Sequence, residues 1–279
     1  MKATEECYSC LGRLVHQAAE LATEDLKLRR KAVEEGQKLL DREFSIAKTS
    51  ITVATLLHRL VRVMTGNVDP YRRIKQAEVA IANDLLRRWK AKHERDLRSC
   101  LVFAVRGNAI DFFKDLRMIK EDLARPVEFA IDNTVDLERR LEVAESIIYL
   151  ADNAGEVFFD LPLVWRLRDF TSVTYVVKES PIQDDVTLAD LERFGLAKEL
   201  PRVITTGTDT PGVDMTVASD EFKAEFEAAD LVLAKGMGYW ETLSELPAQG
   251  KVSYLLKAKC QPVANSLRVA VDSYVALLR

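Results

Sequence analysis

A chain of 279 residues, 48% apolar and 30% charged, can bury one large hydrophobic core or a few modest ones. Its net charge of −4 and pI near 5.6 give no bulk attraction to nucleic acid, so that role would need a local basic patch. No run of about 18 apolar residues is present, and Glu5 and Glu6 put acid where a signal peptide carries base; no membrane span is expected, and the chain reads as cytoplasmic. From Thr4 to about Phe113 apolar residues recur every three or four positions, and Pro70 is the only proline before Pro126, so this part reads as helical. One stripe runs through Leu11, Leu14, Val15, Ala18, Leu21 and Ala22. A second runs from Ile51 to Met64 and stops at Thr65-Gly66-Asn67, and a third covers Ala77 to Trp89.

From Leu141 the period changes. Short β-rich runs at 146–151, 172–177, 202–206, 230–234 and 251–256 alternate with helical stretches around 156–168, 186–198 and 220–228. The expected fold class is therefore α/β: a helical part, residues 1–130, packed on a mostly parallel, doubly wound sheet over residues 131–279. The boundary is expected between about 114 and 140, where charge and Arg125-Pro126 dilute the apolar pattern. Ligands of such sheets sit beyond the carboxyl ends of the strands, which directs attention to those ends.

The first strand ends in Asp152-Asn153-Ala154-Gly155-Glu156. A carboxylate and an amide oxygen are hard donors suited to Mg²⁺ or Mn²⁺, although Asp152 and Asn153 also suit an Asx turn that caps the next helix. The dinucleotide pattern GxGxxG fails here, since only Gly155 is present. An aspartyl-phosphate enzyme of the haloacid dehalogenase kind would carry a second Asp where this chain has Ala154. After the second strand, Thr187-x-x-Asp190 reads either as a capping box or as a loop acid brought beside Asp152, and Asp184 or Asp185 could equally start the helix. The fourth strand ends in Lys235-Gly236 and the fifth in Lys257-Ala258-Lys259, so cations and acids share one rim. Acids that hold a cation, beside lysines that bind a phosphate, form a coherent set for attack on phosphorus.

Together, "CYSC", "DPY" (69–71), "RGNAID" (106–111), "ADNAGE" (151–156), "KESPIQDDVTLAD" (178–190), "DLVLAKGMGYWETL" (230–243) and "LKAKC" (256–260) resemble the metal-dependent damage-control phosphatases, or ARMT-like metal-binding proteins, along nearly the whole chain. The resemblance implies a helical part on a Rossmann-like α/β domain and a phosphatase of small phosphorylated metabolites, such as sugar phosphates or damaged cofactors. It implies a divalent metal, Mn²⁺, Co²⁺, Ni²⁺ or Mg²⁺, at Asp152, Asn153 and Asp190. Substrate contacts are implied at Lys235, Gly236 and Lys259, with Asn108 and Asp111 reaching in from the helical part and Glu156 beside them. The Tyr239-Trp240 pair departs from relatives that carry Asn after the KG. Carboxyl methyl transfer from S-adenosylmethionine and non-catalytic nucleotide or metabolite sensing are the competing readings, and oligomeric state is not legible.

Cys7 and Cys10 form a CxxC whose nearest further donors are His16, Cys100 and Cys260; inert thiols, metal binding and redox chemistry are all compatible with it. His16, His58 and His93 lie singly on helical patterns and read as packing or surface residues. The basic runs at 27–31 and 87–90 read as solvated helix faces.

Overall fold

The computed structural model describes residues 1–90, 96–110, 113–114, 116–247 and 250–279; Asp111 and His93 lie outside them. The amphipathic stripes form α1 (Glu5–Ala22), α2 (Leu26–Glu43) and α3 (Ser50–Thr65), followed by α4 (Arg72–Lys90), α5 (Leu97–Gly107) and α6 (Leu116–Ala124). Capping follows the sequence: Asp25 accepts from Lys27 N and Leu28 N to start α2, and Gly66, at φ 68°, ends α3 in the left-handed conformation. The first three helices pack on one another through Leu11, Leu14, Leu40, Val53 and Leu57. In contrast, residues of α4, α5 and α6 share a core with the sheet.

The chain then runs β1 (Phe129–Asp132), α7 (Thr134–Leu141), β2 (Ser146–Leu150), α8 (Val157–Leu167), β3 (Ser172–Val177), α9 (Leu188–Arg193) and β4 (Arg202–Thr205). It continues with α10 (Asp220–Ala228), β5 (Leu231–Lys235), α11 (Met237–Leu243), β6 (Val252–Lys257), α12 (Gln261–Leu267) and β7 (Tyr274–Leu278). Among the described residues the sheet has seven strands in the order β1-β7-β6-β5-β2-β3-β4, parallel except between β6 and β7. β1 and β7 lie outside the sequence-read runs. β1 is short and half-exposed on alternate residues, so it lacks the continuous apolar run of the buried strands.

Successive strand residues face opposite layers. Tyr149, Tyr175 and Leu233 point into one core with α4, α5 and α8, while Leu150, Val176 and Ala234 point into another with α10, α11 and α12. On the first face α5 lies close against α8. A Cβ on Gly107 would come within 2.9 Å of the Phe159 ring, so glycine permits the approach.

α3 is tied to the loops at the carboxyl end of the sheet. Arg59 donates to both Asp209 oxygens at 3.1 Å, and Arg62 pairs with Asp209 and donates to the Pro181 carbonyl. His58, on the same helix, is buried edge-on against Tyr71 and its Nε2 has no hydrogen-bond partner. Burial, aided by Arg62 and opposed by Asp209, pushes its pKa down to about 3. The folded chain thus keeps His58 neutral, whereas the unfolded chain protonates it below its ordinary value of about 6.5. Stability tied to His58 is complete above that pH and is lost as pH falls toward 3. Urea unfolding should therefore show the parent losing about 2–3 kcal/mol more than His58→Phe between pH 6.5 and 4.5; equal losses would show that His58 titrates normally in the fold.

Candidate active site

β2 and β5 are neighbours, but the chain leaves β2 toward β3 and β4 on one side and returns with β5 on the other. This reversal opens a crevice at the carboxyl ends of the two strands. Asp152 follows β2 there, and Gly236 follows β5. Gly236 adopts φ 83°, and a Cβ on it would lie 1.8 Å from Asp152 Oδ2. Glycine is therefore what lets the Asp152 carboxylate lie against the backbone of the next strand end.

The loops after β2 and β3 are stitched together. Ala154 N donates to Asp184 O at 2.8 Å and Val186 N to Asp152 O at 2.9 Å, an antiparallel bridge that sets Asn153 opposite Asp185. Asn108, at the end of α5, locks the acids from below. Its Nδ2 donates to Asp152 Oδ2 at 3.1 Å and to Glu156 Oε1 at 2.9 Å, while its Oδ1 accepts from Lys257 N at 2.8 Å. Asn108 is thus a positioning residue with its amide fully committed.

Asp152, Asn153, Gln183, Asp185 and Lys259 line one side of a cavity of about 340 Å³, closed on the other by Leu11, Leu14, Ile51 and Ala54 of α1 and α3. Asp185 Oδ2 is buried without a hydrogen bond, with Lys178 Nζ at 3.4 Å. Next to this pair stand Glu78 and Asp184, both fully buried and facing each other as a carboxyl pair with no other side-chain hydrogen bond to their oxygens. Burial, then Glu156 and Asp185, holds Asp152 well above the usual carboxylate range, against Lys259 and Lys178. Burial and Glu78 do the same to Asp184, and burial pushes Glu78 up to about 8. Around the crevice the buried acids Glu78, Asp152, Glu156, Asp160, Asp184, Asp185 and Asp190 outnumber the buried lysines Lys75, Lys178, Lys235 and Lys257. Orphaned oxygens in such surroundings are costly and invite a cation.

The geometry places two of the expected site residues away from the cavity. Asp190 does not line the cavity: its Oδ2 accepts from Lys75 Nζ at 2.9 Å and from Thr187 in a capping box, and its Oδ1 accepts from Arg193 at 2.8 Å. With both oxygens in use, it ties α4 to the loop, and Asp185 stands beside Asn153 in its place. Lys235 is not among the cavity-lining residues: its fully buried Nζ lies 2.7 Å from Glu156 and 2.9 Å from Asp160, where burial disfavours the charge but Asp160 and Glu156 outweigh it and raise the pKa. Asp160 also accepts from Tyr149 and Tyr175 at 2.7 and 2.9 Å. Glu156, expected at the substrate, is likewise spent on Lys235 and Asn108. Lys259 does line the cavity, and its Nζ donates to Ile110 O.

The residues that sequence reading missed carried a signal. Lys75 and Glu78 fall in phase with Ala82, Leu86 and Trp89, an apolar stripe in which charge has no place without a buried partner. Lys235 shares its strand face with Leu231 and Leu233, the face toward α8.

Among the described residues, no three His, Cys, Asp or Glu side chains come together as a metal-binding group. The donor set at the crevice is instead two carboxylates and one amide oxygen, a hard set suited to a divalent ion that keeps other ligands from water or substrate.

Residues 3–275 match the family model described as the damage-control phosphatase ARMT1-like domain. The chain is 34% identical over 285 aligned residues to the damage-control phosphatase PH1575 of Pyrococcus horikoshii, covering 99% of this chain and 98% of that one. It is 32% identical to a damage-control phosphatase of Archaeoglobus fulgidus, with 99% of each chain covered. The crystal structure of PH1575, a DUF89 family protein, superposes with a TM-score of 0.91 at 33% identity, over 100% of this chain and 99% of that one.

Proposed function

The chain belongs to the damage-control phosphatase ARMT1-like family, and we propose that it hydrolyses phosphate monoesters of small damaged metabolites with a divalent cation held by Asp152, Asn153 and Asp185. The observation that carries the reading is the buried carboxylate of Asp185, whose Oδ2 has no hydrogen bond and only Lys178 as an ion-pair partner, set opposite Asn153 and beside Asp152 in one cavity wall. Mn²⁺, Co²⁺, Ni²⁺ and Mg²⁺ all suit these oxygen donors. Such a cation supplies positive charge to the phosphoryl oxygens and makes a water more acidic.

The protein's own groups do the rest. Asn108 holds Asp152 Oδ2 and so fixes the carboxyl in the cavity wall. Lys259 adds a positive charge beside the phosphate position, and the apolar residues of α1 and α3 exclude water from it. The Lys235, Glu156 and Asp160 group sits underneath and fixes the floor.

Binding separates this ligand set from the one expected at Asp190. Saturating Mn²⁺ at about 100 times its Kd should stabilise the parent by about 2.7 kcal/mol in thermal unfolding. Asp185→Asn should lose that gain. Asp190→Asn should unfold at a lower temperature, having lost the hold on Lys75, yet keep the metal-induced gain. The reverse pattern would return the third ligand to Asp190.

A further inference from the structure

The CxxC has no part in the proposed hydrolysis, and the fold gives it a neighbour that its spacing does not reveal. Cys7 and Cys10 lie one turn apart on α1, and Cys260 precedes α12 from the opposite end of the chain. All three line the cavity that Asp152, Asn153 and Asp185 share. They are partly exposed thiols, whereas Cys100 is fully buried in the sheet core. The Cys7 sulfur is fixed at the first turn of α1, where it accepts from Thr4 N–H at 3.4 Å.

The three thiols are not equivalent. Burial pushes the Cys260 thiol up to about 12, with Cys7 and Cys10 close enough to add to the effect. Burial thus makes Cys260 a poor nucleophile. A disulfide between Cys7 and Cys10 is disfavoured, because residues i and i+3 of an intact helix hold their Cβ atoms about 5–6 Å apart and a disulfide needs about 3.8 Å. Beyond Cys260, the partner open to the pair is an external disulfide.

We propose that Cys7 and Cys10 are a modification site for small-molecule disulfides, and that the adduct fills the cavity and closes the phosphate-ester site. Only this consequence rests on the phosphatase reading. A cysteine thiolate attacks one sulfur of the reagent disulfide RS–SR; the Sγ–S bond forms, the S–S bond breaks, and the departing RS⁻ takes up the proton that the cysteine released. The cysteine is oxidised to the mixed disulfide, the reagent is reduced to one free thiol and one bound thiol group, and excess thiol reverses the exchange. In a cavity of about 340 Å³, an adduct the size of glutathione leaves no room for a substrate.

The test uses the full chain with Mn²⁺ and glutathione disulfide as the probe, with three readouts: peptide mapping by mass, the alkylation rate of Cys260, and hydrolysis of p-nitrophenyl phosphate. Adducts should map to Cys7 or Cys10 and not to Cys100. Cys260 alkylation and ester hydrolysis should each fall about tenfold or more, and dithiothreitol should restore both. A Cys7→Ser/Cys10→Ser double variant, in which serine can keep the Thr4 hydrogen bond, should hold its own untreated rate. The mapping and the reversal use unmutated protein, so they decide the matter even if the double variant does not fold. No adduct at Cys7 or Cys10, an adduct that leaves Cys260 as reactive as before, or equal inhibition of the double variant would each overturn the proposal. If adducts form and shield Cys260 in a chain that hydrolysed no ester before treatment, the gate stands and the phosphatase reading falls.

Discussion

Asp152→Asn is expected to lower metal-dependent hydrolysis of p-nitrophenyl phosphate on the order of 10³-fold, the scale seen when one electrostatic or proton-transferring group is removed from an active site. The same change should make the metal-free protein more stable. Asp152 is buried beside Asp185 and Glu156, and its carboxyl is held well above the ordinary range by burial and by those two acids. Asparagine keeps the shape and an oxygen for Asn108 but removes the charge that repels its neighbours. Activity and apo stability should therefore move in opposite directions. A residue that only shaped the loop would lose both together, and a variant with full activity would remove Asp152 from the reaction.

Lys235→Met should have the largest effect on the fold. Lys235, Glu156 and Asp160 are all fully buried, with ion-pair distances of 2.7 and 2.9 Å. Removing the cation leaves two acids in a dry core, and breaking such a pair costs about 3–5 kcal/mol. The sign of its pH dependence follows. Without Lys235 the two carboxyls hold protons in the folded state that the unfolded chain releases above its ordinary carboxylate pKa of about 4. The variant should consequently lose stability more steeply than the parent as pH rises from 5 to 8, adding to the slope that Glu78, Asp152 and Asp184 already give the parent. Adding Asp160→Asn should recover part of the loss. If Lys235 instead gripped the substrate phosphate, its replacement would raise KM and leave the unfolding midpoint unchanged.

Much of this fold is legible in the residues. The runs at 146–150, 172–177 and 231–235 are largely apolar because helices cover both sides of the sheet, and as short β-rich runs between helical stretches they are identifiable. Asp152, Asn153 and Gly236 were legible for the same reason: each follows a strand, and strand ends at a switch point gather ligands. β1 and β7 were not: β1 holds its place only through β7, and β7 enters the sheet between β1 and β6, pairing antiparallel with β6.

The choice between Asp185 and Asp190 shows where a linear reading stops. Both acids sit in one loop, and Thr187-x-x-Asp190 offers a local partner for one of them. What separates them in the fold is non-local: the pairing of 152–154 with 184–186 brings Asp185 beside Asn153, and Lys75 reaches Asp190 from α4. Likewise, nothing in the spacing of the CxxC brings Cys260 to it; only closure of the sheet does.

The most direct test of the proposed centre is a crystal of the protein soaked in Mn²⁺ and measured at the manganese edge. An anomalous peak about 2.0–2.4 Å from oxygens of Asp152, Asn153 and Asp185 is the predicted result. A peak held by Asp190 without Asp185, or hydrolysis that continues undiminished with no ion in the crevice, would contradict it.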